Sequence, residues 1–373
     1  MWRILIILIF KIKLIKEIKM IFGILKPNRA VTEVERIFIN VAHEHGHEAY
    51  IFTAADVDFE NKKIKGITLE KNEIIKGFFD FPVVIQNRLA VKKEDVAIYN
   101  KLSEIIPFTN HRIGTKQQVY DRMKRVDNFK KYLLQVINIT TLEHFIEFIT
   151  LHKKIIAKPG ASNQGKGIYT IELQEQGYLV KHLSEEKNIK NEGIESFFND
   201  ILKKGKSFNF SPYFLSETNL GHGTVFRMHI TRGQNGQWQL IKIFPYVNLS
   251  KASDITNGMQ GALITTREQL FLEQFYPKCF KEINEELKNL FKVFTNQFQK
   301  LYAWRLDSLG LDLGISQDGE VMIYEVNSGP GIGFMAYPVA CAQVKYYEWL
   351  AVNAKLPFLN NFLPLNLKDE KSL

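Results

Sequence analysis

The sequence predicts an α/β domain followed by a longer α+β region. Three observations support this prediction. Short apolar strands and amphipathic helices alternate between Met20 and about Pro107. A glycine-rich loop at residues 160–167 joins two strand-like stretches, and an alternating pattern broken by Asp318-Gly319 near the end is typical of a hairpin. We find no internal repeat and no low-complexity linker.

The front part has the order strand, helix, strand. "IFGIL" and "EAYIF" are apolar runs that favour strands, and "VTEVERIFINVAHEHGH" between them has apolar residues at helical spacing and stops at Gly46. A later stretch, "FPVVIQNRL", predicts another strand. This order indicates a small layer of parallel strands.

The longer part mixes helices with hairpins. "TKQQVYDRM" predicts a helix with Thr115 as its cap, and "TLEHFIEFITLH" and "IESFFNDILKKG" predict two more. "KIIAKP", "GIYTIEL" and "GYLVKHL" favour strands, and "TVFRMHIT" with "WQLIKIFPYV" predicts a hairpin. A long amphipathic helical region follows, interrupted near Pro277.

Composition limits the possible classes of function. The chain has 373 residues, and 49 basic against 40 acidic side chains give a formal charge of +9. This excess is spread along the sequence, with no arginine-rich arm or recognition-helix pattern, so we expect no nucleic-acid partner. Cys279 and Cys341 stand far apart, which argues against a disulfide framework or a zinc site and favours a reducing, cytoplasmic setting.

The first nineteen residues form a separate extension. The apolar run from Ile4 to Phe10 has seven residues, too few to span a bilayer, and lysines alternate after it. Met20 opens the first strand, so we interpret residues 1–19 as spurious or disordered, with a membrane-surface segment as the alternative. We expect no firm membrane association.

The loop "GASNQGKG" differs from a P-loop. A P-loop needs Ser or Thr after its lysine and a helix behind it, whereas here Gly167 follows Lys166 and a strand continues. A strand–loop–strand segment remains, framed by Lys158 and Lys166. Its backbone N–H groups can wrap phosphates; the alternative is a surface hairpin with solvated lysines.

The last hairpin predicts a magnesium site. With Asp318-Gly319 as a two-residue loop, Gln317 pairs with Glu320 and Asp312 falls opposite Glu325. Asn327 then points to the same face as Glu325. Two opposed carboxylates repel unless a cation lies between them, and hard oxygen ligands suit Mg²⁺. The alternative is a solvated acidic patch, and a one-residue shift in register would remove the geometry.

These segments together resemble a known family. "KPGASNQGKGIY", followed about 150 residues later by "GLDLGISQDGEVMIYEVNSGPG", resembles the ATP-grasp superfamily, and the chain is most similar to its YheC/YheD group of endospore coat-associated proteins. "VVIQNRL", "GTKQQVYDRM" and "DITNGMQGA" add to the resemblance, which covers Met20 to about Leu350. It implies a Rossmann-like pre-ATP-grasp domain followed by a two-lobed ATP-grasp fold.

The resemblance also implies a division of the chain. Residues 20–110 would form the pre-ATP-grasp domain and 111–350 the ATP-grasp domain. Within the latter, the flap lobe would cover about 150–215 and the metal-binding lobe about 216–350, leaving 351–373 as a tail. The acceptor pocket would lie between the front domain and the last hairpin.

Roles for individual residues follow from the same resemblance. ATP and one or two Mg²⁺ ions, or Mn²⁺, are the expected cofactors. The metal ligands would be Asp312, Glu325 and Asn327, and Arg227 and Asn257 would lie at the transferred phosphoryl group or the acceptor. The nucleotide would contact two phosphate-binding lysines, a flap loop and the backbone that reads adenine: Lys116 and Lys158; Ser162, Gln164, Gly165, Lys166 and Gly167; and Ser216 and Glu217.

The implied activity is ATP-dependent ligation. Such ligases phosphorylate a carboxylate to an acyl phosphate, which an amine or similar nucleophile attacks. The partners would then be a small-molecule or peptide carboxylate and an amine-type acceptor, with a possible spore-coat association. Related proteins carry Asp where this chain has Val225, and Arg where it reads "IFPYVN", for which Lys242 or Lys251 would have to substitute. A non-catalytic nucleotide-binding structural protein and a phosphotransferase therefore remain as alternatives.

Overall fold

Three β-sheets organise the described part of the chain. The computed structural model describes residues 19–159, 167–182, 185–203, 208–249 and 261–354. Within these ranges no helix has both the length and the apolar character that crossing a membrane requires. The extension at residues 1–18 lies outside them, so the interpretation of that segment stays a prediction.

The first sheet contains the predicted parallel strands. Its strand order is β3-β4-β2-β1-β6, with β5 paired to β4. β1 is parallel to both β2 and β6, as predicted, whereas the β3–β5 part is antiparallel and was not predicted. The strands are β1 (Ile21–Leu25), β2 (Glu48–Phe52), β3 (Val57–Asp58), β4 (Lys63–Glu70), β5 (Glu73–Asp80) and β6 (Val84–Asn87).

Three helices accompany this sheet. Two of them lie among its strands or directly after them in the sequence, and the third comes from near the end of the chain. They are α1 (Glu33–Glu44), α2 (Val96–Ser103) and α9 (Ala336–Asn353). Side chains of α9, such as Tyr347, share a core with β1, β2 and α1. α9 directly follows the last hairpin, so it connects the strands of that hairpin to the first sheet.

The second sheet is antiparallel throughout, in the order β11-β10-β9-β8-β12-β7. Helices α5 (Leu142–His152) and α6 (Ile194–Lys203) cover it and form its core through side chains such as Phe145 and Phe198. The strands are β7 (Ile137–Asn138), β8 (Lys154–Pro159), β9 (Tyr169–Gln174), β10 (Gly177–His182), β11 (Glu185–Ile189) and β12 (Phe208–Pro212).

The third sheet has the order β15-β14-β13-β16-β17 and is also antiparallel. One face packs against α3 (Lys116–Lys124), α4 (Asp127–Lys130), α7 (Glu268–Phe275) and α8 (Phe280–Gln297), and the break between α7 and α8 lies at the predicted proline. The strands are β13 (Thr224–Arg232), β14 (Trp238–Val247), β15 (Leu263–Ile264), β16 (Ser308–Ile315) and β17 (Val321–Ser328).

The turn of the last hairpin differs from the prediction. Ser316, not Gln317, pairs with Glu320, because the Ser316 N–H donates to the Glu320 carbonyl at 3.0 Å and the loop has three residues. The predicted two-residue loop was wrong. Gly319 ends the loop with φ +86°, a left-handed conformation typical of three-residue hairpins.

A β-bulge nevertheless restores the predicted pairing at the site. Leu313 lies opposite Ile323, but Asp312 lies opposite Glu325, so Tyr324 is the extra residue. Gly314 provides the space for it, since a Cβ there would lie 2.3 Å from the Tyr324 hydroxyl. Without the bulge Asp312 would face Tyr324 instead of Glu325.

Candidate functional site

A cavity of about 210 Å³ lies between the second and third sheets. Its walls are mainly apolar, with contributions from α3, β8, β12 and β17 and from the chain after β12. The lining includes Tyr120, Met123, Leu133, Ile156, Ile168, Tyr213, Ile323 and Tyr324. Lys116, Lys158 and Glu325 form its charged part. An apolar cleft with a few convergent polar groups is the usual form of a small-molecule site.

Lys158 lies in this cavity wall near the end of β8, opposite Asn209 of β12. No hydrogen bond or ion pair joins its amine to another residue of the described ranges. Burial lowers the pKa of Lys158, the nearby Lys116 adds to the effect, and Glu325 opposes it. The amine is therefore a cation that lacks a compensating partner, a state that an anionic ligand would relieve.

Lys116 is the first residue of α3. The Thr115 side chain caps this helix, accepting a hydrogen bond from the Gln118 N–H at 3.3 Å, as the sequence predicted. Because the helix begins here, the Lys116 side chain lines the cavity, and its amine forms an ion pair with Glu325. Lys116 and Lys158 are therefore brought together, and of these two amines it is that of Lys158 for which the described residues supply no ion pair.

The predicted metal ligands converge on one face of the third sheet. Strand alternation places Leu311 and Leu313 in the core and Asp312 on the opposite face. The Asn327 Nδ2 donates to Asp312 Oδ2 at 3.1 Å and to Glu325 Oε1 at 3.0 Å. The three side chains thus meet as predicted, although the amide presents its nitrogen rather than its oxygen to the carboxylates.

The two carboxylates differ in electrostatic environment. Burial raises the pKa of Asp312, and the adjacent Glu325 raises it further against the opposing effect of Arg227. Burial also acts to raise the pKa of Glu325, but Lys116 and the Asn327 amide outweigh it and lower that pKa. The surroundings therefore favour the charged form of the Glu325 carboxylate and disfavour the charged form of the Asp312 carboxylate.

Arg227 engages Asp312. The two residues are cross-strand neighbours, and the guanidinium donates from Nε to Oδ1 at 2.5 Å and from Nη2 to Oδ2 at 3.0 Å. Gly310 makes room for this arginine, since a Cβ there would lie 3.1 Å from Arg227 Cδ. The prediction that Arg227 faces a phosphoryl group or the acceptor stays a prediction. In this structure the guanidinium donates two hydrogen bonds to the neighbouring Asp312 carboxylate.

The donor set fits Mg²⁺. Two carboxylates and an amide on one face are oxygen ligands of the kind that this ion accepts, usually together with phosphate oxygens and water. The described residues contain no group of three or more His, Cys, Asp or Glu side chains placed to hold a metal. An ion here would therefore depend on ligands beyond the protein, and on Asn327 turning its Oδ1 inward.

The expected adenine-reading backbone is only partly at the cavity. Ser216 lines it, but Glu217 does not. The Ser216 carbonyl accepts from the Thr224 N–H at 2.8 Å, and the Glu217 carbonyl accepts from Gln317 Nε2 at 2.7 Å. The adenine contact predicted for Glu217 stays a prediction, and its carbonyl is already engaged by the Gln317 side chain of the hairpin loop. Tyr213 and Phe214, a few residues earlier, line the cavity instead.

Several predicted residues lie outside the described ranges. These are Ser162, Gln164, Gly165 and Lys166 of the flap loop, together with Asn257 and Lys251. Of the predicted loop, Gly167 is described: it has φ +77°, and a Cβ there would lie 3.0 Å from Pro159 Cγ.

The departures from the family pattern meet at one place. Val225 lines the cavity and lies directly opposite Tyr246, which belongs to the "IFPYVN" stretch. The position expected to carry Asp therefore lies opposite the strand in which the resemblance places an Arg, and Val225 supplies no charge there. Lys242 pairs with Glu268 at 2.8 Å, so it does not supply the missing arginine.

Sequence reasoning missed the apolar walls. Tyr120 and Met123 carry no motif, and their only signal is helical spacing from Lys116 on α3. Leu133, which also lines the cavity, forms an isolated bridge to Ile323 of β17. That contact is not visible in a local pattern.

Comparisons with known proteins identify a family. The family described as YheC/D like ATP-grasp matches residues 105–345. The endospore coat-associated protein YheD of Bacillus subtilis (strain 168) is 22% identical over 313 residues, which cover 80% of this chain and 68% of that protein. YheC of the same organism is 19% identical, over 60% of this chain and 62% of that protein.

A solved structure supports the fold. The ATP-grasp ligase PsnB complexed with minimal precursor is 13% identical with a TM-score of 0.52, and the match covers 88% of this chain and 99% of that one.

Proposed function

Because the chain belongs to the YheC/D-like ATP-grasp family, we propose that it binds ATP with magnesium and acts as a carboxylate-activating ligase. The proposed reaction has two steps. A carboxylate oxygen attacks the γ-phosphorus of ATP, giving an acyl phosphate and ADP. An amine or similar nucleophile then attacks the acyl carbon, and phosphate leaves.

One observation carries the nucleotide part of this proposal. The apolar cavity ends in Lys158, a cation with no partner among the described residues, beside the Lys116–Glu325 ion pair. A flat aromatic base fits the apolar walls, and a polyphosphate supplies the negative charge that Lys158 lacks. Backbone of the segment containing Tyr213 and Phe214 is placed to border the base.

The residues of the chain would act by placement and charge neutralisation. Lys158 and Lys116 hold the phosphates, and the flap residues Ser162, Gln164, Gly165, Lys166 and Gly167 are proposed to cover them. Asp312, Glu325 and Asn327 would hold Mg²⁺, which would offset the negative charge of the phosphates. Arg227, now paired with Asp312, and Asn257 are proposed to serve the acceptor side. No side-chain nucleophile is needed.

A non-catalytic nucleotide-binding role is the second candidate. Related proteins are expected to carry an acid at the position of Val225 and an arginine in the "IFPYVN" stretch, both of which this chain lacks, and Arg227 is engaged by Asp312. Both features weaken the acceptor side and leave the nucleotide cavity intact. In that case the protein would be an ATP-binding structural component.

The setting of this activity is also a proposal. The relatives YheD and YheC are named endospore coat-associated proteins, which supports an association with the spore coat. We propose a cytoplasmic location and a pre-ATP-grasp domain at residues 20–110, followed by the grasp at 111–350. The PsnB structure is a complex with a minimal precursor, and we propose a peptide as one acceptor to try.

Turnover separates the two candidates. ADP release from Mg·ATP would be measured with pooled amino acids and short peptides, with hydroxylamine present to convert any acyl phosphate to a hydroxamate. A ligase gives ADP and hydroxamate in the wild type and neither in the double variant Asp312→Asn, Glu325→Gln. Nucleotide binding without ADP release favours the structural role, and a stable phosphorylated product would indicate a phosphotransferase.

A further inference from the structure

A second polar region lies at the edge of the first sheet. β1 is flanked by β2 on one side and β6 on the other, all parallel, so their carboxyl ends meet at one edge. From β1 the chain passes through α1 to β2 on one side, whereas β6 lies on the other side of β1. The connections of the sheet therefore diverge between β1 and β6. Ligands of open α/β sheets bind in the crevice at such points.

Two cations stand at this crevice around a buried carboxylate. Lys26 follows β1 directly and Arg88 follows β6. Glu35, in the first turn of α1, is 2% exposed and accepts from the Lys26 amine at 2.9 Å and Arg88 Nη2 at 2.6 Å. One acid therefore fixes two basic side chains from different strands, and the trio keeps a net charge of +1.

Arg88 keeps binding capacity after this contact. Its guanidinium has five N–H donors, and the contact to Glu35 uses one nitrogen. The Arg88 side chain is 39% exposed. Glu35 thus orients the arginine without saturating it, which is how a charged recognition residue is held in place.

Arg88 lines a small pocket beside the segment that follows the proposed metal ligands. The pocket has a volume of about 30 Å³ and is bordered by Asn87, Asn110, Ser308 and Pro330. Asn110 exchanges hydrogen bonds with Asn87 and packs on Gly329, two residues after Asn327. A short run of contacts therefore connects Arg88 with the proposed metal ligands. The volume suits one head group rather than a whole substrate.

Asp307, the acidic residue among the described residues that line this pocket, does not neutralise the charge of Arg88. Asp307 is buried on the third-sheet side, and the positive charge of Arg232 acts on it. On the sheet side, Arg29 is neutralised by Asp56. The excess positive charge at the crevice thus comes from the trio of Lys26, Arg88 and Glu35.

We propose that this crevice is an anion subsite, in which Arg88 binds an oxyanion of the acceptor substrate and Glu35 positions Arg88. The acceptor would then carry a second anionic group besides the carboxylate that is activated. This assignment rests on the proposed function only in taking the anion to be part of the acceptor; the binding of an oxyanion at Arg88 stands by itself.

The test measures anion binding separately from nucleotide binding. Succinate, inorganic phosphate and chloride would be titrated at matched ionic strength into protein carrying Lys158→Met, so that the nucleotide cavity does not contribute. Thermal midpoint and calorimetry would report binding. We expect succinate or phosphate to bind, the tighter of the two identifying a carboxylate or a phosphoryl group, and chloride to have no specific effect.

Variants at Arg88 decide the assignment. Arg88→Met should weaken the bound anion at least tenfold, and Arg88→Lys should keep part of the affinity because it keeps the charge. Arg36→Met is the control, since the Arg36 guanidinium contacts the Asn72 carbonyl instead. Equal responses of all three anions, or an unchanged affinity in both Arg88 variants, would overturn the proposal. The ATP affinity of Arg88→Met, in an otherwise wild-type chain, is compared with that of the wild type. This comparison tests the nucleotide binding of the proposed function separately from anion binding at Arg88.

Discussion

Lys26 and Lys158 are both lysines at strand ends, but their surroundings are opposite. Lys26 is 8% exposed, donates to the Ala30 carbonyl at 2.6 Å and pairs with Glu35 at 2.9 Å. Lys158 has no such partner among the described residues, and burial lowers its pKa. The first amine is satisfied by the protein, whereas the second is left for a ligand.

This difference separates structural charges from functional ones. A buried cation without a partner reduces stability, so it persists where binding needs it. Around Lys26 the chain supplies Glu35 and backbone carbonyls. Around Lys158 it supplies a second lysine and an apolar cavity. Mutations that remove charge should therefore act in opposite directions at the two places.

The largest effect is expected from Lys158→Met. ATP affinity should fall roughly 10- to 100-fold, the loss of one or two charge-assisted contacts. The free energy of unfolding without nucleotide should rise at pH 7, because a lysine with a lowered pKa destabilises the folded state while it is protonated. This gain should disappear at a pH above the pKa of the unfolded chain, about 10.4. Calorimetry and urea denaturation measure the two quantities.

Lys187→Met is the matched control. Lys187 is exposed on β11 of the same sheet. This change should leave both ATP affinity and stability unchanged. If Lys158→Met lowered stability as much as it lowered affinity, Lys158 would be a structural residue like Lys26 and the contrast would fail.

Glu35→Gln should act in the reverse sense. Burial acts to raise the pKa of Glu35, but hydrogen bonds from Lys26, Thr32 and Arg88 bring it down to about 2. Removing the charge leaves Lys26 without its ionic partner and should reduce the free energy of unfolding at pH 7 by about 2 kcal/mol. ATP affinity should not change.

The pH dependence identifies the cause. A carboxylate with a lowered folded pKa stabilises above its unfolded pKa, 4.5, and this contribution is lost as the pH falls towards 2. The stability difference between wild type and Glu35→Gln should therefore shrink between pH 5 and pH 2. A difference independent of pH would point to packing. Glu33→Gln, an exposed neighbour on α1, is the control.

A smaller, opposite effect is expected at Asp307. Burial raises the pKa of Asp307 to about 7, against the opposing effects of Thr109 and Arg232. Its charge therefore costs stability as the pH rises from 3.8 towards 7. Asp307→Asn should increase the free energy of unfolding at pH 8 by about 1 to 2 kcal/mol, with no gain at pH 3.5. Denaturation at both pH values checks this, with exposed Asp200→Asn as control. A loss of stability at pH 8 would contradict it.

The sequence predicted those parts of the site that depend on local pattern. Strand alternation placed Asn327 on the same face as Glu325, whereas the predicted pairing of Asp312 with Glu325 is correct because two deviations cancel. The turn was wrong by one residue, and the bulge at Tyr324 compensated. No local pattern predicts that bulge, because it depends on space that Gly314 leaves for the tyrosine ring.

The remaining features depend on contacts between distant residues. The Glu35 contacts with Lys26 and Arg88 join a helix to the ends of two strands, and the pairing of Arg227 with Asp312 joins positions 85 residues apart. The side chain of Gln317 donates to the Glu217 carbonyl, which lies 100 residues earlier in the sequence. Such pairings follow from tertiary packing rather than from a motif.

Calorimetric titration of ATP with and without Mg²⁺ tests the central claim most directly. The wild type should bind ATP at least tenfold more tightly with magnesium. The double variant Asp312→Asn, Glu325→Gln should bind it equally with and without the ion. A wild-type affinity that ignores magnesium, or a double variant that keeps the full magnesium effect, would contradict the assignment of Asp312 and Glu325 to a metal site beside Lys158.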